Sequence, residues 1–128
     1  MSDIIEKTIN EADIQRHWNP VRGNCSVVAA GIHAVFGGQL KAISSVPHEG
    51  FFDHVVVEVD GKIYDGRGAV STVKVEDMFV SESSWEGRDA HWFTVDDISE
   101  DSMYSEDEAE EVAAALRAAE TVIRDRMR

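Results

Sequence analysis

Three residues of this chain have side chains that together could carry out nucleophilic chemistry on a carbonyl group. Cys25 is the only cysteine in 128 residues, and His54 and Asp65 follow it along the chain. A thiol, an imidazole and a carboxylate in contact can act as nucleophile, general base and orienting group. The types and order of these residues therefore predict a Cys-His-Asp triad that attacks a carbonyl carbon.

Cys25 stands at a position where a thiol is readily activated. Residues 25–36 are almost all small or apolar and are followed by Gly37-Gly38, a pattern that predicts a central buried helix beginning at Cys25. The positive end of a helix and a nearby imidazolium both favour the reactive thiolate. The backbone N–H groups at this helix start, including that of Cys25, are also suited to stabilise an oxyanion. Side chains that could complete this oxyanion hole precede the helix: Asn19 and Asn24, with Arg22 and His17 as weaker candidates.

A β-hairpin is predicted around the candidate base. Residues 53–59 are a β-branched run that ends at Asp60-Gly61, and residues 63–65 begin a return strand. Asp-Gly between two such runs is a strong signal for a two-residue turn. With this turn, the numbers of directly paired residues add up to 121, the sum of the two turn positions 60 and 61.

This register brings His54 and Asp65 together. Asp65 is expected opposite Val56, and His54 opposite Arg67. His54 and Asp65 are then diagonal neighbours on one face, with backbones roughly 7 Å apart, a gap that an aspartate can span. A slip of one residue would place them on opposite faces, so the prediction depends on the length of the turn.

The rest of the chain predicts an α+β fold dominated by antiparallel strand pairing. Residues 3–17 favour a first helix, and further strands are expected at 40–46, 70–75 and 91–95. Ser105-Glu106-Asp107-Glu108 is a capping box that starts a C-terminal helix. The apolar stripe of that helix consists of Val112, Leu116, Ala119, Ile123 and Met127.

Composition and charge argue against two classes of protein. The chain is 43% hydrophobic and 29% charged, and no apolar run approaches the roughly 20 residues of a membrane helix. A net charge of -13, from 25 acidic and 12 basic residues, argues against a protein that grips phosphate backbones, so we expect neither nucleic acid nor a membrane as a partner. The N-terminus lacks the order of a secretory signal, and one cysteine cannot form an internal disulfide; both observations favour a cytoplasmic location.

Acidic residues concentrate between positions 96 and 111. Such a run usually forms a solvated surface. It also supports an alternative in a different functional class, a non-catalytic acidic binding or inhibitor protein that masks the basic surface of a partner protein.

Two short segments resemble the papain-like cysteine hydrolase superfamily, whose relatives include cell-wall amidases, transglutaminase-core enzymes and deamidating toxins. The segments are Asn19-Pro-Val-Arg-Gly-Asn-Cys25-Ser and Asp53-His54-Val-Val-Val-Glu-Val-Asp-Gly-Lys-Ile-Tyr-Asp65-Gly. The resemblance implies that Cys25 is the nucleophile, His54 the general base and acid, and Asp65 the orienting residue. It also implies an oxyanion hole made by the Cys25 N–H and Asn19, which stands six residues before the cysteine, where papain has glutamine.

The resemblance further implies a minimal papain-like core, in which a central helix packs on an antiparallel sheet between flanking N- and C-terminal helices. Residues 1–128 would form a single domain, with a core at 19–95 and a C-terminal capping helix at 105–127. The implied activity is that of a cysteine hydrolase or acyltransferase acting on a protein or peptide amide. Peptide, isopeptide and side-chain amide bonds are all compatible with this chemistry, and the oligomeric state is left open.

Each candidate residue also has an ordinary structural interpretation. A lone buried cysteine is commonly a small core residue, a strand histidine often satisfies a local hydrogen bond, and an aspartate before glycine is often a turn residue. A metal site built from Cys25, His54 and Asp65 is a further alternative. No close pair of ligands marks such a site in the sequence, so we expect no metal and no other cofactor.

Overall fold

A computed structural model describes residues 3–18, 25–44, 54–71, 75, 91–95 and 105–127, which form four helices and five strands. The helices are α1 (Asp3–Ala12), α2 (Ile14–His17), α3 (Cys25–Phe36) and α4 (Glu106–Arg126). The strands are β1 (Gln39–Ser44), β2 (His54–Val59), β3 (Lys62–Asp65), β4 (Gly68–Val70) and β5 (His91–Thr94). They make one sheet in the order β4-β3-β2-β1-β5, with every neighbouring pair antiparallel. The predicted α+β class is confirmed.

The main core lies between one face of the sheet and the helices. Helix α3 packs across β2, with contacts to β1 and β3, and its other side packs on α4. Because side chains alternate along a strand, every second residue of the central strands faces α3. The sheet contributes Leu40, Ala42, Val55, Val57 and Tyr64 to this core, and α3 contributes Cys25, Val27, Val28, Ala29 and Ile32.

The opposite face of the sheet carries a second, smaller apolar cluster. Its buried members are Ile43, Val56, Ile63 and Val75, with Val70 and Trp92 packed against them. The central strands are therefore apolar on both faces, which explains why residues 55–57 read as an uninterrupted valine run rather than an alternating pattern.

Two glycines reverse the chain between α3 and β1. Gly37 and Gly38 have φ values of 76° and 86°, a left-handed conformation that glycine adopts without steric cost. A Cβ on Gly38 would lie 2.7 Å from Val59 Cγ2, so the end of α3 meets the end of β2 closely. The predicted stop of the helix is confirmed. Since β1 runs back from this turn and β2 is antiparallel to β1, β2 runs in the same direction as α3.

The N-terminal helix is broken, whereas residues 3–17 were expected to form one helix. Helix α1 ends at Ala12, and Asp13 adopts a left-handed conformation with φ 55° and ψ 45° before α2 begins. Aspartate is one of the few residues that tolerate this conformation. In a continuous helix Ile14 would lie about 140° around the axis from Ile9. The break instead lets both side chains enter the main core, where they are 1% and 0% exposed.

The predicted strand at 70–75 is confirmed at Val70, where β4 ends, and is wrong at Ser71 and Val75. The Val75 N–H donates to the Ser71 carbonyl at 3.1 Å, a bond between residues four apart that is typical of a helical turn. The other predicted strands are confirmed within the described residues, while 45–46, 53 and 72–74 lie outside them.

The C-terminal helix begins at its predicted cap, where the Glu108 N–H donates to Ser105 Oγ at 3.4 Å. The apolar stripe is confirmed for Val112, Leu116, Ala119 and Ile123, which are all buried. The prediction is wrong for Met127, which is 65% exposed. Met127 follows the last residue of α4 and lines an open surface groove with Lys7 and Asn10 of α1. Among the helices of the described residues, none is both long enough and apolar enough to cross a membrane.

Close packing of α3 on α4 generates a stability prediction at Gly31. A Cβ at this position would lie 2.7 Å from Val112 Cβ and 3.1 Å from the Ala113 backbone nitrogen. We expect Gly31→Ala to lower the free energy of unfolding by about 1–3 kcal/mol, because the two helices must separate. Urea unfolding measures this change.

Ala34→Gly, on the exposed side of the same helix, is the matched control. It reports the intrinsic preference for alanine over glycine, about 1 kcal/mol in a helix. If Gly31→Ala were as stabilising as this preference alone, the close approach of α3 and α4 would be contradicted.

Candidate active site

His54 and Asp65 are in direct contact inside the protein. His54 Nε2 lies 2.9 Å from Asp65 Oδ2, and the two residues are 0% and 1% exposed. A polar pair taken out of water is costly unless its members bond to each other or to further partners. The sequence prediction that these residues share a face is confirmed.

The hairpin turn produces this proximity. Asp60 and Gly61 have φ values of 51° and 81°, the paired left-handed conformation of a two-residue type I′ turn. Tyr64 pairs with Val57 and Lys62 pairs with Val59, so the partner numbers add up to 121 as predicted. Val59 and Lys62 close the ladder at the turn, and the ladder extends from there to Val57 and Tyr64.

The two predicted pairs beyond Tyr64 are not found, since the β2–β3 register ends at Val57–Tyr64 and gives Asp65 no pairing with Val56. β3 ends at Asp65, so Arg67 does not lie opposite His54 on that strand. Arg67 lies in the turn between β3 and β4, where Asp65 pairs with Gly68. On its other side, His54 pairs with Ile43 of β1. The chain turns at the two residues after Asp65, and a strand pair cannot form there.

Arg67 is a site residue that the sequence interpretation missed. Its Nε lies 3.2 Å from Asp65 Oδ1 and 3.1 Å from Oδ2, and its Nη2 lies 2.6 Å from Oδ2. The Arg67 backbone N–H also donates to Oδ1 at 2.8 Å. This last bond closes an Asx-turn, for which the Asp65-Gly66-Arg67 segment was the available sequence signal. Asp65 is therefore a turn residue and the partner of His54 at the same time.

The ionisation of Asp65 follows from these contacts. Burial is the largest single influence and raises the pKa of the carboxyl group. The hydrogen bonds from His54 and Arg67, with the charge of His54, together outweigh burial and leave the pKa below its ordinary value of 3.8. Asp65 is thus a carboxylate at neutral pH.

The carboxylate decides which nitrogen of the imidazole carries a proton. An ionised carboxylate only accepts hydrogen bonds, so His54 Nε2, 2.9 Å from Asp65 Oδ2, is the donor. In the neutral ring the other nitrogen, Nδ1, then has the lone pair that can take a proton. The ring is oriented for proton transfer at Nδ1.

Cys25 is the first residue of α3 and is 9% exposed. Helix α3 has 12 residues and β2 has six. At about 1.5 Å and about 3.3 Å per residue, each element is roughly 17 Å long between its first and last Cα. Because the two elements run in the same direction and their last residues meet near Gly38, Cys25 and His54 lie at the same end of this layered pair.

The thiol and the imidazole belong to different layers at that end. Cys25 is part of the core between α3 and the sheet. The pairing of His54 with Ile43 places the imidazole on the opposite face, with the smaller apolar cluster. An approach of one side chain to the other would have to pass around the end of β2, of which His54 is the first residue.

The remaining oxyanion-hole candidates have different outcomes. Asn19, Arg22 and Asn24 lie outside the described residues. His17 is exposed at the end of α2, where its ring makes an edge contact with Trp18 at 5.8 Å between centroids. The Cys25 N–H belongs to the first turn of α3, where backbone donors have no carbonyl of the same helix to bond.

Within the described part of the chain, no three His, Cys, Asp or Glu side chains are grouped so that they could hold a metal ion. Comparison of the chain with protein-family models, curated proteins and solved structures found no match.

The lowered pKa of Asp65 generates a prediction about acid stability. A carboxyl group whose pKa is lower in the folded than in the unfolded chain stabilises the fold above the unfolded value, and this contribution is lost as the pH falls towards the folded pKa. We expect Asp65→Asn to lower the free energy of unfolding by about 2–4 kcal/mol at pH 7. The donors of His54 and Arg67 would then face a neutral amide, in which an NH2 group replaces one carboxylate oxygen. The difference from the wild type should shrink below about pH 4.

Urea unfolding at a series of pH values measures both effects. Asp60→Asn makes the same chemical change at an exposed turn residue of the same hairpin, and should alter stability by no more than about 0.5 kcal/mol. A difference between wild type and Asp65→Asn that stayed constant down to pH 2 would show that Asp65 is not held ionised in the fold.

Proposed function

We propose that this protein is a cysteine hydrolase or acyltransferase in which Cys25 is the nucleophile, His54 the general base and acid, and Asp65 the orienting residue. The substrate is a protein or peptide amide. The observation that carries this proposal is the buried contact of 2.9 Å between His54 Nε2 and Asp65 Oδ2, at the end of the fold where α3 begins with the only cysteine.

The first half of the reaction forms a thioester. The Cys25 thiolate attacks the carbonyl carbon, a bond forms between Sγ and carbon, and the carbonyl π electrons move to oxygen. Backbone N–H groups at the start of α3 stabilise this oxyanion. As the intermediate collapses, the C–N bond breaks and the leaving nitrogen takes a proton from Nδ1 of protonated His54. An amine leaves, and the acyl group stays on Cys25.

The second half regenerates the enzyme. Water gives a proton to His54 Nδ1 while its oxygen attacks the thioester carbon. When the C–S bond breaks, a carboxylic acid leaves, and the Cys25 thiolate and protonated His54 are restored. An amine in place of water gives a new amide, so the same residues support acyl transfer.

The buried contact with His54 supports the role given to Asp65. Because His54 Nε2 is held by Asp65, the ring presents Nδ1 for proton transfer, and the imidazolium formed in the first step is stabilised by the carboxylate. The start of α3 supports the role given to Cys25, because a helix N-terminus favours a thiolate.

Alkylation of Cys25 by iodoacetamide tests the proposal before any substrate is known. The protein has one cysteine, so the reaction reports on this thiol alone. The alkylation rate depends on the thiolate, and an ordinary thiol has a pKa of about 8.5. We expect the rate in the wild type to reach half its maximum at least about one pH unit below that value. His54→Gln should return the half-maximum to about pH 8.5, because the imidazolium that stabilises the thiolate is gone.

His33→Gln is the matched control, since His33 is an exposed histidine on the same helix as Cys25. It should leave the pH profile of the wild type unchanged. A wild-type profile that rises only near pH 8.5, and is indifferent to His54→Gln, would falsify the proposed nucleophile and base. Mass spectrometry of an acyl adduct on Cys25, absent in Cys25→Ser, would identify the donor.

A second candidate function is favoured by the exposed acidic surface at the start of α4. Its carboxylates are all exposed: Glu106, Asp107, Glu108, Glu110 and Glu111. They suit a basic partner protein that the chain binds without catalysis. Under this candidate, biological function survives Cys25→Ser and is lost on neutralisation of these carboxylates or in raised salt. The catalytic proposal expects the opposite dependence.

A further inference from the structure

The contact of Arg67 with Asp65 has no role in the reaction steps proposed for Cys25 and His54. Arg67 approaches both oxygens of the Asp65 carboxylate, with Nη2 at 2.6 Å from Oδ2. Oδ2 also accepts the bond of 2.9 Å from His54 Nε2. The arginine and the catalytic imidazole therefore share one carboxylate oxygen.

The hydrogen bonds from Arg67 restrict the orientation of the Asp65 carboxylate in two ways. A guanidinium bonded through two nitrogens fixes the plane of the carboxylate, because its N–H groups form a rigid fork. The Arg67 backbone N–H, at 2.8 Å from Oδ1, anchors the second oxygen. With both oxygens held, Oδ2 stays at the end of β2, where His54 meets it.

The arginine also changes the charge that the imidazole experiences. Against the effect of burial, the hydrogen bonds from Arg67 lower the pKa of the Asp65 carboxyl group, so Arg67 helps to keep a negative charge beside His54. The Arg67 side chain is 22% exposed and that of Asp65 is 2% exposed, so this pair is screened less than a surface pair. On the same sheet face, the other charged groups of the described residues near the central strands are Lys41 and Glu58, which pair with each other at 3.3 Å.

We propose that Arg67 is a positioning residue of the site: it holds the Asp65 carboxylate in the orientation that bonds His54, and by keeping that carboxylate ionised it supports the imidazolium that stabilises the Cys25 thiolate. This inference rests on the proposed function for its second part. Its first part, the positioning of the His54–Asp65 bond, is measurable without any catalysis.

Arg67→Gln removes the charge and the fork, and Arg67→Lys keeps the charge without the fork. The first measurement is the ¹H–¹⁵N signal of the His54 Nε2 proton in histidine-labelled protein, assigned by its loss in His54→Gln. We expect this signal to broaden or shift in Arg67→Gln and to shift less in Arg67→Lys. The second measurement is the pH profile of Cys25 alkylation by iodoacetamide. Its half-maximum should rise by about 0.5–1 pH unit in Arg67→Gln and stay within about 0.3 unit in Arg67→Lys.

Arg124→Gln is the control for a loss of one positive charge, since Arg124 forms an exposed ion pair with Glu120 on α4. It should change neither measurement. A residue that only stabilised the fold would lower the free energy of unfolding in Arg67→Gln but would not move the alkylation profile or the Nε2 signal. If Arg67→Gln does not fold, Arg67→Lys still tests the fork through the Nε2 signal.

The failures of the two proposals are distinguishable. An activated wild-type thiol whose profile and Nε2 signal are unaffected by both Arg67 variants overturns the inference about Arg67 and leaves the proposed function standing. An ordinary wild-type thiol, with a half-maximum near pH 8.5, overturns the proposed function and the charge effect of Arg67. The Nε2 signal then decides the positioning role alone.

Discussion

A buried carboxylate with two donors from different parts of the chain is the constraint on which the site depends. Asp65 is 1% exposed, and an ionised group at that depth is tolerated only when donors replace the water it has lost. One donor comes from the start of β2 and the other from the turn after β3. The hairpin register, the turn after Asp65 and the orientation of the imidazole must therefore all be correct together. A change in any one of them leaves a buried charge without a partner.

The topology of the central layer relates this polar pair to the thiol. The two-glycine turn after α3 sends β1 back along the sheet, and β2 then returns in the direction of the helix. Short reversals of this kind place the first residues of α3 and β2 at one end, although 29 positions separate residues 25 and 54 in the sequence. The close contact of Gly38 with Val59 sets the other end of the pair. The topology therefore places Cys25 and His54 at one end of this layered pair, on opposite sides of the sheet.

Local sequence signals predicted the parts of this arrangement that depend on neighbours along the chain. Asp60-Gly61 determined the turn type, and the turn determined that His54 and Asp65 share a face. The role of Arg67 was not predictable in the same way, because the pairing predicted from the hairpin turn assumed that β3 continues past Asp65 and so placed Arg67 opposite His54. The Asx-turn that ends the strand redirects the arginine onto the carboxylate.

Other differences between sequence and structure arise from tertiary packing. The N-terminal helical segment is interrupted at Asp13, and this break allows the Ile14 side chain to be buried in the main core. Met127 continues the apolar spacing of α4 but comes just after its last residue and is exposed. Periodicity alone does not show whether another part of the fold covers a side chain. The order of the strands was also out of reach, because β5 joins β1 over a separation of about fifty residues and no local signal specifies such a pairing.

We propose that Cys25 and His54 form a thiolate–imidazolium pair, and ultraviolet titration of the Cys25 thiolate tests this pairing most directly. The difference in thiolate absorbance between wild type and Cys25→Ser isolates the single thiol. If the pair forms, the wild type has thiolate absorbance at pH 6, and His54→Gln has none at that pH. Thiolate that forms only near pH 8.5, the ordinary value for cysteine, and forms equally in both proteins would contradict it.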